Sequence, residues 1–312
     1  NGGSICAKQV AVQCVAGTES SKAGLVVNSG TLDAEYAIFA ASYADVTIDG
    51  GTLKGIQTIY TNGTHSGVNI VINQGTFDGA MFLAAGKGSN YIINDGTFKT
   101  DAAKYSDEKG TFSTIEIKGG NLTVNGGTFE TDATKQTTFE YGNGQSSRGY
   151  VLAVIGHAGY QPVDVTVTGG TFNGVVDCKK LSGSNEPKLT ITGGTFENDE
   201  IKTYATGDAY MLKPYIAEVG GKQYRSLPQA IGATTDTDNA IKMIADADLA
   251  YTVVVDKNIT LDLNGKKISY FNGSENTRAI QVQPGATLTI QDGGNGGSIC
   301  AKQVAVQCVA GT

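Results

Sequence analysis

Residues 165–172 read VTVTGGTF and residues 189–196 read LTITGGTF. The same phrase stands earlier as LVVNSGTL (25–32), VTIDGGTL (46–53), IVINQGTF (70–77), YIINDGTF (91–98) and LTVNGGTF (122–129). All share the pattern apolar-x-apolar-polar-x-Gly-Thr-Phe/Leu, and their first residues lie 21, 24, 21, 31, 43 and 24 apart. Alternation of β-branched residues up to a glycine predicts a strand that ends in a sharp turn. The spacing marks coils of about 21–24 residues, and the interval of 43 reads as two coils, one without the phrase.

A second apolar run precedes most phrases: YAIFAAS (36–42), QTIYTN (57–62), AMFLAAG (80–86) and GYVLAVIG (149–156). Each coil therefore carries at least two strands. So short a coil cannot bury its own inward face, but neighbours stacked at ~4.8 Å satisfy each other's backbone and close a common core. The expected fold is an all-β solenoid. Val165, Val167, Leu189 and Ile191 should point inward, with Phe77, Phe98, Phe129, Phe172 and Phe196 in a column at one corner.

Residues 1–18 and 295–312 are the same eighteen letters, NGGSICAKQVAVQCVAGT, offset by 294. Chance does not produce that, and a tag would not carry two cysteines and alternating Val and Ala. The simplest account is a window slightly longer than one period of an array repeating every 294 residues. The two occurrences should then be the same coil in successive copies and adopt the same local conformation.

From about residue 215 the character changes. Ser226 is placed to cap a helix, Pro228 suits its first turn, and Leu227, Ala230 and Ile231 give it an apolar face, so a short capping helix is expected near 226–232. Strands should follow at 240–244, 252–255 and 259–263. The phrases GGKQYRSLPQAI, AIKMIADADL and VVVDKNITLDLNGKKI resemble the opening of right-handed parallel β-helix modules in large tandem-repeat bacterial surface proteins, related in shape to the pectate-lyase-like fold. The resemblance covers residues 219–290 and, in general style, 24–196. It implies that the helix plugs a first coil, so that 1–214 are coils of one module and 215–312 are the cap and first coils of the next. It implies an architecture and no activity.

Composition excludes several functions. Net charge is −7, and Lys and Arg are scattered singly, which argues against a nucleic-acid partner. No segment approaches the ~20 apolar residues of a membrane span. Five cysteines reduce to three per period, too few for a disulfide scaffold; Cys6 and Cys14 read as buried free thiols, the alternative being a disulfide between them if the chain turns within the eight residues that separate them. Asp164, Asp177, Glu197, Asp199, Asp236, Asp238, Asp246 and Asp248 form no recurring column with a basic partner, so no catalytic residues are expected. His65 and His157, in glycine-rich loops, make no metal site, and nothing asks for a cofactor. The second phrase position runs Val, Thr, Val, Ile, Thr, Thr, Thr, too irregular for a flat ice-binding threonine array. The threonine after each glycine suits a ladder of hydroxyl hydrogen bonds at the turn. Residues 131–150, TDATKQTTFEYGNGQSSRGY, are the candidate binding loop, carried by Phe139, Tyr141, Arg148 and Tyr150.

The expected function is structural: an extracellular rod, stalk or filament at a bacterial surface, its partners being neighbouring copies joined end to end. The alternatives are an adhesin for surface polysaccharide or host glycan and, further off, a polysaccharide-active enzyme.

Overall fold

A computed structural model describes every residue except 1, 64, 272–277 and 311–312. The chain is all-β with long parallel sheets, and its helical content among the described residues is one α-helix, Leu227–Ala233, and one 3-10 turn, Asp199–Thr203. It divides into two compact units, residues 1–131 with 136–212, and residues 132–135 with 213–312.

In the first unit, each phrase forms a strand, turns at its glycines and forms a second strand. The phrase openings, from Ala23–Val27 through Val163–Val167 to Lys188–Ile191, make a seven-stranded parallel sheet in chain order. The phrase endings make a second row, and the upstream apolar runs, such as Tyr36–Ala40 and Tyr150–Gly156, make a third. Successive repeats thus feed three rows, whose strands pair with their counterparts in neighbouring repeats. Thr52–Thr61 and Thr76–Leu83 run through the second and third rows as single strands, and after the phrase at 189–196 the 3-10 turn Asp199–Thr203 stands in place of a third-row strand.

Register brings like residues together. Leu32 faces Leu53, which faces Phe77, and the line continues through Phe98, Phe129, Phe172 and Phe196. The five phenylalanines are at most 1% exposed and stack with ring centroids 4.4, 4.8, 4.6 and 4.8 Å apart, within 12° of parallel. That spacing is the strand spacing of a sheet, so the backbone ladder itself sets the ring contacts. Each buried ring contributes about 1.5–3 kcal/mol, with roughly 0.5–1.5 kcal/mol more per ring pair.

The glycines are required by the same closeness. A Cβ on Gly169 would lie 2.3 Å from the Asn125 carbonyl oxygen one repeat earlier, and Gly170 has φ +98°, where side chains are strained. At the turn, the backbone carries the ladder: the Thr171 N–H donates to Gly127 O at 2.8 Å and that of Thr195 to Gly170 O at 2.9 Å.

The interval of 43 residues is one repeat and not two. Gly120–Val124 pairs directly with Val163–Val167, and Thr128–Thr131 with Thr171–Asn173. The surplus leaves the stack as an excursion and returns in register, as residues 101–113 do in the interval of 31. Lengthening a surface loop costs little, since closure entropy grows only with the logarithm of length.

The second unit opens with a hairpin, Ala217–Val219 against Lys222–Tyr224, whose first strand lies antiparallel to Ala240–Met243. Ala240–Met243 also pairs with Ile259–Asp262, so the hairpin covers what would otherwise be an open edge. The helix starts where the sequence places it, with Pro228 in its first turn and Leu227, Ala230 and Ile231 buried. Ser226 has the extended N-cap backbone but makes no capping bond, and its hydroxyl is buried without a partner. Strands follow at Ala240–Met243, Val253–Val255 and Ile259–Asp262, and three parallel rows again run through the unit.

The duplicated segment forms the same strands twice: Ser4–Cys6 and Val10–Cys14, then Ser298–Ala301 and Val304–Cys308. The starting residues differ by 294 in both cases (298 − 4 and 304 − 10). The duplicated residues 1, 311 and 312 lie outside the described residues, as do 272–277 within the span of the family resemblance.

Candidate functional site

The excursion between the phrase at 122–129 and the strand Tyr150–Gly156 is held to the outer face of the third row by single, specific contacts. Glu116 lies on the strand Ile115–Ile117, next to Phe82 on one side and Ala153 on the other. Alternation points it outward, yet it is fully buried, as is Lys118 two residues on. Residues 139–147 cover them. Glu116 accepts hydrogen bonds from the Ser146 N–H (2.8 Å), the Ser147 N–H (2.8 Å) and the Ser147 hydroxyl (2.5 Å). Lys118 donates to the carbonyls of Tyr141 (2.8 Å) and Gly144 (2.7 Å), and its Nζ lies 3.8 Å from Glu116. Gln145 completes the latch by donating to the carbonyls of Met81 and Ser113 and accepting from the Ser113 N–H.

Burial pushes Lys118 down to about 8, against the pull of Glu116, and raises the Glu116 carboxyl despite Lys118 and the three donors around it. His157 is held below its ordinary value by burial and by Lys118. The Gly159 N–H donates to its Nδ1 (3.1 Å), which places the ring proton on Nε2, 3.1 Å from the Glu140 carboxylate.

The four residues of the candidate loop fall into two pairs. Arg148 is buried, bonded through Nε and Nη2 to Asp107, with its guanidinium 4.0 Å from the Phe112 ring centroid and 5.1 Å from that of Phe139. Tyr150 is buried in the third row, and its hydroxyl accepts from Lys179 at 2.9 Å. These two serve packing. Phe139 is half-buried with Lys109 over it at 4.3 Å, and Tyr141 is 45% exposed, with Lys109 4.9 Å from its ring. Tyr141 packs on the Phe139 ring at 6.4 Å, and the neighbouring Gly142 and Asn143 reach a cluster of rings that the sequence did not single out. Tyr60 packs on Tyr36, Phe39 and Phe82, while the Tyr60 and Tyr160 hydroxyls donate to Asn143 Oδ1 and Gly142 O.

The polar phrase position forms an amide ladder instead of a site. The side-chain amides run Asn125 to Asn94 to Asn73 to Asp49 at 2.8, 2.7 and 2.6 Å, and a second line runs Asn121, Asn90, Asn69, Asp45. Of the carboxylates weighed for catalysis, three pair with lysines: Asp164 with Lys188, Asp177 with Lys179 and Asp199 with Lys202. Asp246 accepts the Lys267 N–H, Asp248 accepts the Ser269 hydroxyl, and Glu197 is buried. His65 bonds Ser42 at 2.7 Å. Among the described residues no three His, Cys, Asp or Glu gather as metal ligands, and no helix is long and apolar enough to cross a membrane. All five cysteines are free, but only Cys14 of the first pair is buried, Cys6 lying exposed on the open edge of the first coil; Cys178 is pushed up to about 12 by burial and Asp177.

No family model, curated protein or solved structure matches the chain.

Proposed function

We propose that the chain spans slightly more than one period of a right-handed β-solenoid with coils of about 21–24 residues, repeated in tandem to build an extracellular rod, stalk or filament at a bacterial surface. The observation that carries this reading is the in-register column of stacked phenylalanines, because contacts of one residue type with itself can be extended by adding repeats without redesigning any partner. The amide ladders support it in the same way. The bacterial surface location rests on the resemblance to tandem-repeat surface modules. Electron microscopy of the native material tests the proposal: filaments of constant width support it, and compact particles refute it.

A second reading, adhesion to a glycan, is favoured by one observation, the exposed Tyr141 next to the half-buried Phe139 ring, on a loop whose Asn143 accepts a hydrogen bond from the half-buried Tyr60. Aromatic faces of this kind can stack on the apolar face of a sugar ring. Loss of binding to a glycan panel on Tyr141→Ala, with an unchanged melting curve, would establish it. The enzyme reading would need turnover of an oligosaccharide by purified protein.

A further inference from the structure

The two occurrences of the duplicated segment use opposite sides of the same strands. In the first, Ser4, Ile5 and Cys6 pair with Thr31, Leu32 and Asp33, and Val12 and Cys14 with Ile38 and Ala40, all later in the chain. In the second, Ser298, Ile299 and Cys300 pair with Lys267, Ile268 and Ser269, and Val306 and Cys308 with Ile280 and Val282, all earlier in the chain. The hydrogen-bonding groups are complementary as well. The first occurrence donates from Ala7 N–H to Asp33 O and accepts at the carbonyls of Gly3, Gln9 and Cys14. The second donates from Ser298, Lys302 and Val309 N–H to the carbonyls of Lys266, Tyr270 and Val282. Subtracting 294, those donors are positions 4, 8 and 15, so none of these groups is engaged in both. Parallel strands alternate their backbone groups between two neighbours in this way.

Apolar exposure marks the same edges. Ile5 is 51%, Ile290 44% and Val304 38% exposed, while Cys14, covered by its following strand, is 5% exposed and its duplicate Cys308 is exposed.

From these observations we infer that the duplicated segment is a splice coil: in a tandem array a single copy of it takes both sets of partners at once, so that successive copies join as one uninterrupted parallel stack with no linker. Its occupant on the open side is the next copy of this chain. Ile299 receives Leu32 of that copy, Val306 receives Ile38, Cys308 receives Ala40, and Leu288–Gln291 receives Ala23–Val27. This rests on the reading of the chain as one period of an array, and it adds that the junction is rigid and in register.

The test uses a two-period chain, residues 1–312 followed directly by 19–312, with the central Cys308 as its only thiol and Ser at the other cysteines. It is compared with the 312-residue chain carrying Cys308 alone. The central thiol should react with a maleimide more slowly by a factor on the order of ten or more, since it becomes covered as Cys14 is. Equal rates would overturn the splice. Where the cysteine replacements prevent folding, amide exchange in the unsubstituted two-period chain answers the same question: the central Ala301 amide, the duplicate of Ala7, should become protected, and an unprotected amide overturns the inference. The mass of the native polypeptide is a separate measurement. A native chain of a single period defeats the array, whereas a long native chain with a reactive central thiol leaves an array of loosely joined copies.

Discussion

The corner column and the Glu116–Lys118 pair beneath the latched excursion are both fully buried, but they are built on different logic. Along the column, Phe77 to Phe196, each contact repeats the one before it, and a 4.4–4.8 Å ring spacing follows from strand pairing alone. Under the excursion, Glu116, Lys118 and Gln145 each have one set of partners that has no counterpart in another repeat among the described residues. The first kind of order is cumulative and tolerates extension; the second depends on a few desolvated charges, each costly if left alone.

The largest effect should come from breaking the column. Phe172→Asp removes the stacking with Phe129 and Phe196 and buries a carboxylate, which should cost more than about 4 kcal/mol and lower the melting temperature by roughly 10 °C or more. Thermal unfolding followed by circular dichroism reads this directly, and an unchanged curve would remove the column from the account.

Next comes the latch. Lys118→Met leaves Glu116 buried without its cation, a loss of about 3–5 kcal/mol that falls on the excursion and not on the stack. Limited proteolysis should therefore cut within 136–149 while the core resists. Adding Glu116→Gln should restore much of the protection; a double variant no better than the single would mean that the charge pair does not hold the loop.

The two regions should also answer alkali with opposite signs. In the stack, burial raises Tyr91 from 10.0 and Cys178 from 9.0, each to about 12. Between the unfolded and folded values the unfolded chain has already lost these protons, so stability present below pH 9 is lost as pH rises toward 12. Lys118 works the other way. With its folded value near 8 and its unfolded value at 10.5, the folded chain binds fewer protons in that window, and stability rises with pH there. Urea midpoints measured from pH 8 to 11 should fall less steeply in Cys178→Ala and more steeply in Lys118→Met than in the parent.

The smallest effect is expected on the outer amide ladder. Asn94→Ala breaks the bonds to Asn73 and Asn125 at an exposed position and should cost only about 0.5–1.5 kcal/mol, measurable as a shift of urea midpoint.

The contrast also explains what could be read from the letters. The phenylalanine column was legible because periodicity in the sequence becomes adjacency in space. Counting residues misled at the interval of 43, since spacing reports chain length whereas pairing reports rows, and an excursion adds the one without the other. Arg148 and Tyr150 sit among polar letters that suggested a surface, but residues 101–113 form a second excursion that packs Phe112 and Asp107 against Arg148. Glu116 and Lys118 left one faint trace, charges at the alternate positions of an otherwise apolar IEIK, and nothing in the sequence says that Ser146 and Ser147 meet them. The helix start was correct in position yet not in chemistry, because Ser226 became buried and its hydroxyl found no backbone amide.

The central claim is that parallel strands stack repeat upon repeat and continue from one copy to the next. Fibre diffraction from aligned native material tests it most directly. The account predicts a reflection at roughly 4.8 Å along the long axis of the fibre. A 4.8 Å reflection lying across that axis, or none at all, would contradict it.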